Sequence, residues 1–219
     1  MSALSRKMLV VLAVLVATPP GVMTAQRPAA GVTLPIGLGI AQVSPVPGGT
    51  LRFYSGSMIG QKPGDVPASD TVKFGPGLPS VDIAEAPPWL VPEHLKMDYE
   101  LFWLRVVTIT PDWLEVIGNS RTGDRKWIER TAAEFVAWPE FLLRVNSIEA
   151  IDAVATPVRA RPLDASPILS SARAALPVLA VQGEWARVAT HDLADRMPPE
   201  GWIRWRRGET LLVRFNPFS

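Results

Sequence analysis

The chain of 219 residues contains no cysteine and only two histidines. Without cysteine it can form no disulfide, no thiolate metal site and no cysteine nucleophile. Its formal net charge of +1 also lacks the strong basic excess of nucleic-acid-binding proteins. No nucleophile elbow, phosphate-binding loop or paired catalytic carboxylate motif occurs. We therefore expect a non-enzymatic protein with no catalytic residues, no cofactor, no metal and no nucleic-acid partner.

Long hydrophobic stretches are also missing, because the longest apolar run, residues 8–17, has about half the length of a membrane-spanning helix. Arg6 and Lys7 precede this run, a Pro-Pro-Gly break follows it, and small residues lead to Ala25. This layout is typical of a secretory signal peptide. We expect residues 1–25 to be removed near Ala25, leaving a periplasmic or secreted protein without a membrane span. A retained anchor is the alternative.

Turn-forming residues are abundant, with 22 prolines and 16 glycines, and 47% of the chain is hydrophobic. This composition predicts a packed core built from short strands and many turns. Residues 26–48 are poor in charge and rich in Pro, Gly, Ala and Val, which indicates a flexible segment after the signal peptide. Two short helical turns are expected, at residues 93–96 and 139–145.

The chain repeats one pattern after 72 residues, and eight tryptophans, an unusually high number, fall largely within it. The repeat aligns Val107 with Leu179, Trp113 with Trp185, Trp127 with Trp202, and Phe135 with Leu211. Self-similarity of this kind defines a folding unit. It predicts an all-β protein with a first module over residues 49–147 and a second module over residues 156–219.

The second module resembles the bacterial SH3-like (SH3b) domain over residues 157–214. The resemblance is carried by a first strand that ends in Pro162, a Gly-Glu-Trp-x-x-Val strand around Trp185, and a Gly-Trp-Ile strand around Trp202. Residues 99–138 form a diverged copy, in which Lys126 replaces the glycine of the family pattern. The resemblance implies two tandem small SH3-like β-barrels with short helical turns.

Domains of this family in bacterial envelope proteins bind cell-wall peptides or serve as interaction modules, so the resemblance implies a peptide, peptidoglycan or another envelope protein as partner. Strand alternation places the repeated tryptophans on the face opposite the buried aliphatic residues. The candidate ligand-binding residues are Trp113, Trp127, Trp185, Trp202 and Arg204. Alternatively, the tryptophan rings cover a seam between the modules or cap a barrel edge, and Arg204 belongs to a solvated strand face.

The charge distribution and the two histidines do not decide whether the chain is a binding protein, a structural protein or an enzyme. Residues 26–155 carry a net charge of −4 and residues 156–219 a net charge of +3. His94 would meet Asp98 across one helical turn as a surface pair, and His191 lies in an Asp-rich turn. A binding protein of the cell envelope is the interpretation we favour. A structural or assembly protein that uses its tryptophan faces for packing or oligomer contacts is the alternative, and an enzyme with an unfamiliar site is a third.

Overall fold

A computed structural model describes residues 34–78, 80–172, 174–190 and 199–218. The predicted signal peptide, the start of the predicted flexible segment and the His191 turn lie outside the described residues. The described part belongs to one unit by its internal contacts, Gly31–Ser219. Within it, no helix is long and apolar enough to cross a membrane.

Strands dominate the described residues, as the sequence predicted for an all-β protein. The first half contains β1 (Gly39–Val43), β2 (Thr50–Phe53), β3 (Asp70–Pro76), β4 (Val81–Glu85), β5 (His94–Lys96), β6 (Leu101–Ile109), β7 (Trp113–Ile117), β8 (Arg125–Glu129) and β9 (Glu134–Ala137). The second half contains β10 (Ser147–Ala150), β11 (Val158–Arg159), β12 (Ile168–Ser170), β13 (Val178–Gln182), β14 (Trp185–Ala189), β15 (Glu200–Arg204), β16 (Arg206–Arg207), β17 (Thr210–Leu211) and β18 (Val213–Asn216). One α-helix, α1 (Trp138–Arg144), and the 3-10 turns Met97–Tyr99 and Arg130–Ala132 complete the described elements.

The two halves pair their strands in the same order. In the first half, β1 lies between β9 and β6, and β6 continues into the meander β6-β7-β8. In the second half, β10 pairs with β18 and reaches Leu176, just before β13, through Ile148. From β13 the chain continues into the meander β13-β14-β15. Hydrogen bonding leaves the sheets of the described residues open rather than closing them into a continuous barrel.

The 72-residue repeat is reproduced in the strand register. In both halves the first strand of the meander carries an irregularity at the repeated position, between Val106 and Thr108 and again between Val178 and Ala180. The following strands pair in matching register, with Leu114 opposite Ile128 in the first half. The last step of the repeat differs from the prediction. Phe135 pairs with Ala41 of β1, and Phe215 pairs with Ile148 of β10, so Phe135 corresponds to Phe215 and not to Leu211. Leu211 instead belongs to the additional hairpin that β16 and β17 form.

Three local predictions were wrong. The segment predicted to be flexible contains β1, whose Ile40 and Ala41 are completely buried between two partner strands. The predicted link between the modules contains β10, and the predicted helical turn at residues 93–96 is β5 with the 3-10 turn after it. The pairing partners of β1 and β10 are distant in sequence, whereas β5 pairs with β6, which follows it closely. The predicted helix at residues 139–145 is confirmed as α1, with Trp138, Phe141 and Leu142 buried.

The hydrophobic interior has two large clusters and one small one. One large cluster spans both halves, from Ile40 and Trp103 through α1 to Ile203 and Val213. The second large cluster lies within the first half, and the small one contains two of the repeated tryptophans. The largest cluster is shared by both halves, and β1 and β10 begin before residues 49 and 156, where the two modules are predicted to start. The structure therefore does not divide the chain at these residues, and the module boundaries stay predictions.

Candidate functional site

The repeated tryptophans lie on two equivalent sheet surfaces. We define the first tryptophan face as the side of β7 and β8 turned away from Leu114 and Val116, and the second as the corresponding side of β14 and β15. The first face consists of Trp113, Glu115, Trp127 and Glu129, and the second of Trp185, Arg187, Trp202 and Arg204. Their registers match. On the first face Trp113 pairs with Glu129 and Glu115 with Trp127, and on the second Trp185 pairs with Arg204 and Arg187 with Trp202.

Residues 54–68 of the same chain cover the first tryptophan face. Tyr54 packs edge-on against Trp113, with ring centroids 4.8 Å apart, and its backbone forms an antiparallel bridge with Trp127. Met58 packs into the same cluster, together with partly buried apolar side chains from later in the segment. Trp113 and Trp127 keep only 1% and 6% of their surface exposed. The outward exposure expected for these two candidate ligand-binding residues is therefore wrong, because the covering segment removes them from water.

The covering segment also satisfies the polar groups around this face. The backbone carbonyl of Gln61 accepts a 2.9 Å hydrogen bond from the indole N–H of Trp113. The Tyr54 hydroxyl donates to the Glu129 carboxylate over 2.5 Å. Burial, together with that carboxylate, raises the pKa of Tyr54 to about 12. At the edge of the face, Lys62 pairs with Asp112 at 2.7 Å. The segment thus supplies one donor to a carboxylate of the face, from Tyr54 to Glu129, and one to Asp112 at its edge.

On the second tryptophan face, Arg204 is committed to contacts within the chain. Its guanidinium lies 5.4 Å from the centroid of the Trp185 ring, which is 9% exposed. The same guanidinium donates to Glu184 and to Asp164, each at 2.8 Å. The N–H of Gly208 donates to Glu184 and, together with Arg204, lowers the pKa of that carboxyl. The structure therefore brings the candidate residues Trp185 and Arg204 together. The Arg204 guanidinium stacks on the Trp185 ring and pairs with carboxylates of the same chain.

Trp202 is the candidate tryptophan that remains partly open to solvent among the four described. It lies directly opposite Arg187 on β14 and opposite Arg159 on β11. Trp202 and Arg159 are half-buried, while the Arg187 side chain is 44% exposed and pairs with Glu200 at 3.4 Å, itself half exposed. Directly paired residues in neighbouring strands share a face of the sheet. Trp202 is thus an aromatic ring between two arginines.

Beyond Arg159, the same row of paired positions reaches Ile168 on β12, which is 60% exposed. On the other side, Arg187 pairs with Ala180 on β13. We call the five residues Ile168, Arg159, Trp202, Arg187 and Ala180 the Trp202 row. The interior side of the same strands is aliphatic and buried, with Ile203 and Val188 completely inaccessible. The row was not predicted as a unit, because β11 and β12 enter it through pairing that the repeat does not encode.

A shallow cleft lies elsewhere in the fold, between the first half and the end of the described chain. Its volume is about 200 Å³, and Gln42, Tyr99, Trp103, Arg144 and Phe218 are among the residues that line it.

Next to this cleft, His94 stacks on Trp103 with ring centroids 5.3 Å apart, and burial lowers the pKa of its imidazole. The predicted pairing of His94 with Asp98 was wrong, because His94 is in a strand and Asp98 contacts Lys96 at 3.6 Å. Among the residues that the structure describes, no group of three or more His, Asp or Glu side chains could hold a metal ion.

Comparison with known proteins adds no further assignment to these surfaces. No protein-family model matches the chain, and neither a curated protein nor a solved structure is significantly similar to it.

Proposed function

We propose that this chain is an exported, non-enzymatic binding protein of the cell envelope, built from two SH3-like units, and that it recognises peptide or peptidoglycan components. The strand order β9-β1-β6-β7-β8 supports the SH3-like assignment, together with its counterpart in the second half, where β10 pairs with β18 and bridges Leu176 just before the meander β13-β14-β15. In each half a first strand contacts both the second and the last strand. This arrangement brings a short meander round on itself, as small β-barrels require.

The observation that carries the binding proposal is the half-buried Trp202 with Arg159 and Arg187 on either side. Tryptophan and arginine are the residue types that contribute most binding energy at protein interfaces. An arginine fork also suits the carboxylates of peptides and of peptidoglycan stems. Trp202 is therefore the candidate residue on which we place ligand contact.

A structural role has its own support at the first tryptophan face. Trp113 and Trp127 are buried beneath residues 54–68, so their rings stabilise the fold. This observation favours packing as the function of the first pair. Under the proposal, the two faces therefore have different roles within one binding protein.

Cosedimentation with purified cell-wall material tests the proposal, with Trp202→Ala as the variant and Trp127→Ala as its positional match. We expect Trp202→Ala to reduce the bound fraction while the melting temperature stays close to that of the parent protein. Trp127→Ala should instead lower the melting temperature, because it opens a cavity in a buried cluster. Wall binding that is unchanged in Trp202→Ala, or turnover of wall material by the purified protein, would contradict the proposal.

A further inference from the structure

The first tryptophan face shows how a polypeptide can lie on a surface of this kind. Residues 54–68 bury Trp113 and Trp127 with apolar contacts, and Tyr54 in this segment donates to the Glu129 carboxylate. The covering chain meets the sheet where the Tyr54 backbone bridges Trp127. The matching position in the second half is Arg159, which pairs with Trp202. Tyr54 and Arg159 therefore occupy equivalent positions, and the chain that follows each of them can be compared between the two halves.

After Arg159, the second half follows a different route. The chain forms the β11–β12 hairpin, from which Asp164 reaches Arg204. Leu163 and Ile168 in this hairpin each keep 60% of their surface exposed. In the described part of the chain, Trp202 thus remains half-buried and Arg187 exposed, where the equivalent positions of the first half are covered. The second face has the apolar and aromatic character of the first face without its full cover.

The charges on the two faces are inverted. Glu115 lies opposite Trp127 in the first half, and Arg187 lies opposite Trp202 in the second. At the neighbouring pair, Glu129 corresponds to Arg204. On the first face, Tyr54 of the covering segment donates to Glu129, so we expect a partner of the second face to supply acceptors to its arginines. Arg204 already has two internal carboxylates. Arg187 has one half-exposed partner, Glu200 at 3.4 Å, and Arg159 donates to the backbone carbonyl of Ser166. Arg187 and Arg159 therefore keep the most donor capacity for the carboxylates of a partner.

Strand spacing sets the size of a matching ligand. Arg159 and Arg187 lie on strands separated by the strand of Trp202, so they are roughly 10 Å apart along the row. Two residues three positions apart in an extended polyproline-type chain are separated by about 9 Å. An extended peptide that crosses the strands can thus present one carboxylate to each arginine and an apolar residue to Trp202.

We propose that the Trp202 row binds an extended acidic polypeptide segment, with two carboxylates about three residues apart flanking an apolar side chain. This inference rests on the proposed binding function and names the partner of the same surface. A polypeptide is favoured over a peptidoglycan stem because the equivalent face of this chain is occupied by a polypeptide.

The experiment uses a fluorescein-labelled eight-residue peptide, in which two glutamates three positions apart flank leucine and proline, and fluorescence anisotropy as the measurement. The matched control peptide carries glutamine in place of both glutamates. The protein variants are Arg187→Glu, which installs the charge of the first face, and Arg52→Glu, which makes the same change at an exposed position of β2. Circular dichroism verifies that both variants fold.

We expect the acidic peptide to bind the parent protein and Arg52→Glu equally. Arg187→Glu should bind it at least about tenfold more weakly, as expected for loss of a charge-assisted contact. Raised salt should weaken binding, because the arginine is exposed. Equal binding of the acidic and glutamine peptides, or no effect of Arg187→Glu, would overturn the inference.

The wall-binding experiment separates this inference from the proposed function. If Trp202-dependent cosedimentation with wall material is observed while the acidic peptide does not bind, the polypeptide assignment fails and the binding function stands. If the protein binds neither wall material nor peptide, both fail.

Discussion

The two tryptophan faces have matching strand registers but differ in the exposure of one tryptophan position. On the first face, Trp113 and Trp127 are sealed by a segment of the same chain, and on the second, Trp202 remains half open. Large aromatic rings stabilise a fold when something covers them, and they are available for recognition when nothing does. The comparison shows that equivalent tryptophans of one repeat can differ in their exposure to solvent. The chain between β1 and β6, and the chain between β10 and β13, determine whether the tryptophans of each half are covered.

The largest expected difference between the faces concerns stability. Trp113→Ala should lower the free energy of unfolding by about 3–5 kcal/mol, because the ring is completely enclosed and its removal leaves a cavity. Trp185→Ala, at the equivalent position, should cost less, since the Trp185 ring keeps 9% of its surface exposed and has the charged Arg204 guanidinium 5.4 Å from its centroid. Urea denaturation of both variants measures the two values. Equal losses would mean that the second face is as firmly packed as the first.

A second difference lies at the position where the family pattern has glycine. A Cβ added to Gly201 would lie 2.3 Å from Cγ1 of Val158, because β11 passes close to β15 there. Gly201→Ala should therefore destabilise the protein by roughly 1–3 kcal/mol through overpacking.

The first half has Lys126 at this position, and the lysine reaches Asp70 at 3.2 Å. Lys126→Ala should change the stability by less than about 1 kcal/mol, as is typical of a partly exposed ion pair. Thermal unfolding of the two variants compares them. If Gly201→Ala is as stable as the parent protein, the close approach of β11 is not a constraint on the second half.

A smaller effect than that of Gly201→Ala concerns the polar contact between the first face and the segment that covers it. Tyr54→Phe removes the hydrogen bond to Glu129 and should cost about 0.5–1.5 kcal/mol at neutral pH. The pKa of Tyr54 is raised, from 10.0 to about 12, so its contribution to stability is complete below pH 10 and is lost as the pH rises towards 12.

Absorbance of the phenolate during an alkaline titration measures this effect, because the chain has only two tyrosines. The step near pH 12 should disappear in Tyr54→Phe. A parent protein without this step would show that the cover does not bury the Tyr54 hydroxyl.

The sequence predicted the elements whose signal is local. Alternation between Trp113 and Val116 placed them on opposite sides of one strand, and the structure assigns them to different clusters. The strand predicted at Trp113–Ile117 and the short helix near residue 139 were confirmed. The repeated positions Val107 and Leu179 coincide with the same irregularity in the two meanders. Each of these features depends on residues that are near one another in the chain.

Elements stabilised by distant partners escaped prediction. The strand β1 lies in a segment rich in glycine and proline, and it forms because β6 and β9 bond to both of its edges. The strand β10 pairs with β18, more than sixty residues later. The Trp202 row likewise depends on β11 and β12, which enter the sheet from outside the repeated pattern. Pairing with a distant strand does not produce a periodic pattern in the sequence of either strand.

The sequence alone therefore determined which side of each strand a tryptophan occupies, because backbone alternation has a period of two residues and needs no other contact. Only the tertiary structure decided whether that side faces water. Residues 54–68 fold over one pair of tryptophans and the β11–β12 hairpin leaves Trp202 half open. The physical reason is that exposure depends on where remote chain segments pack, whereas orientation depends on the geometry of neighbouring residues.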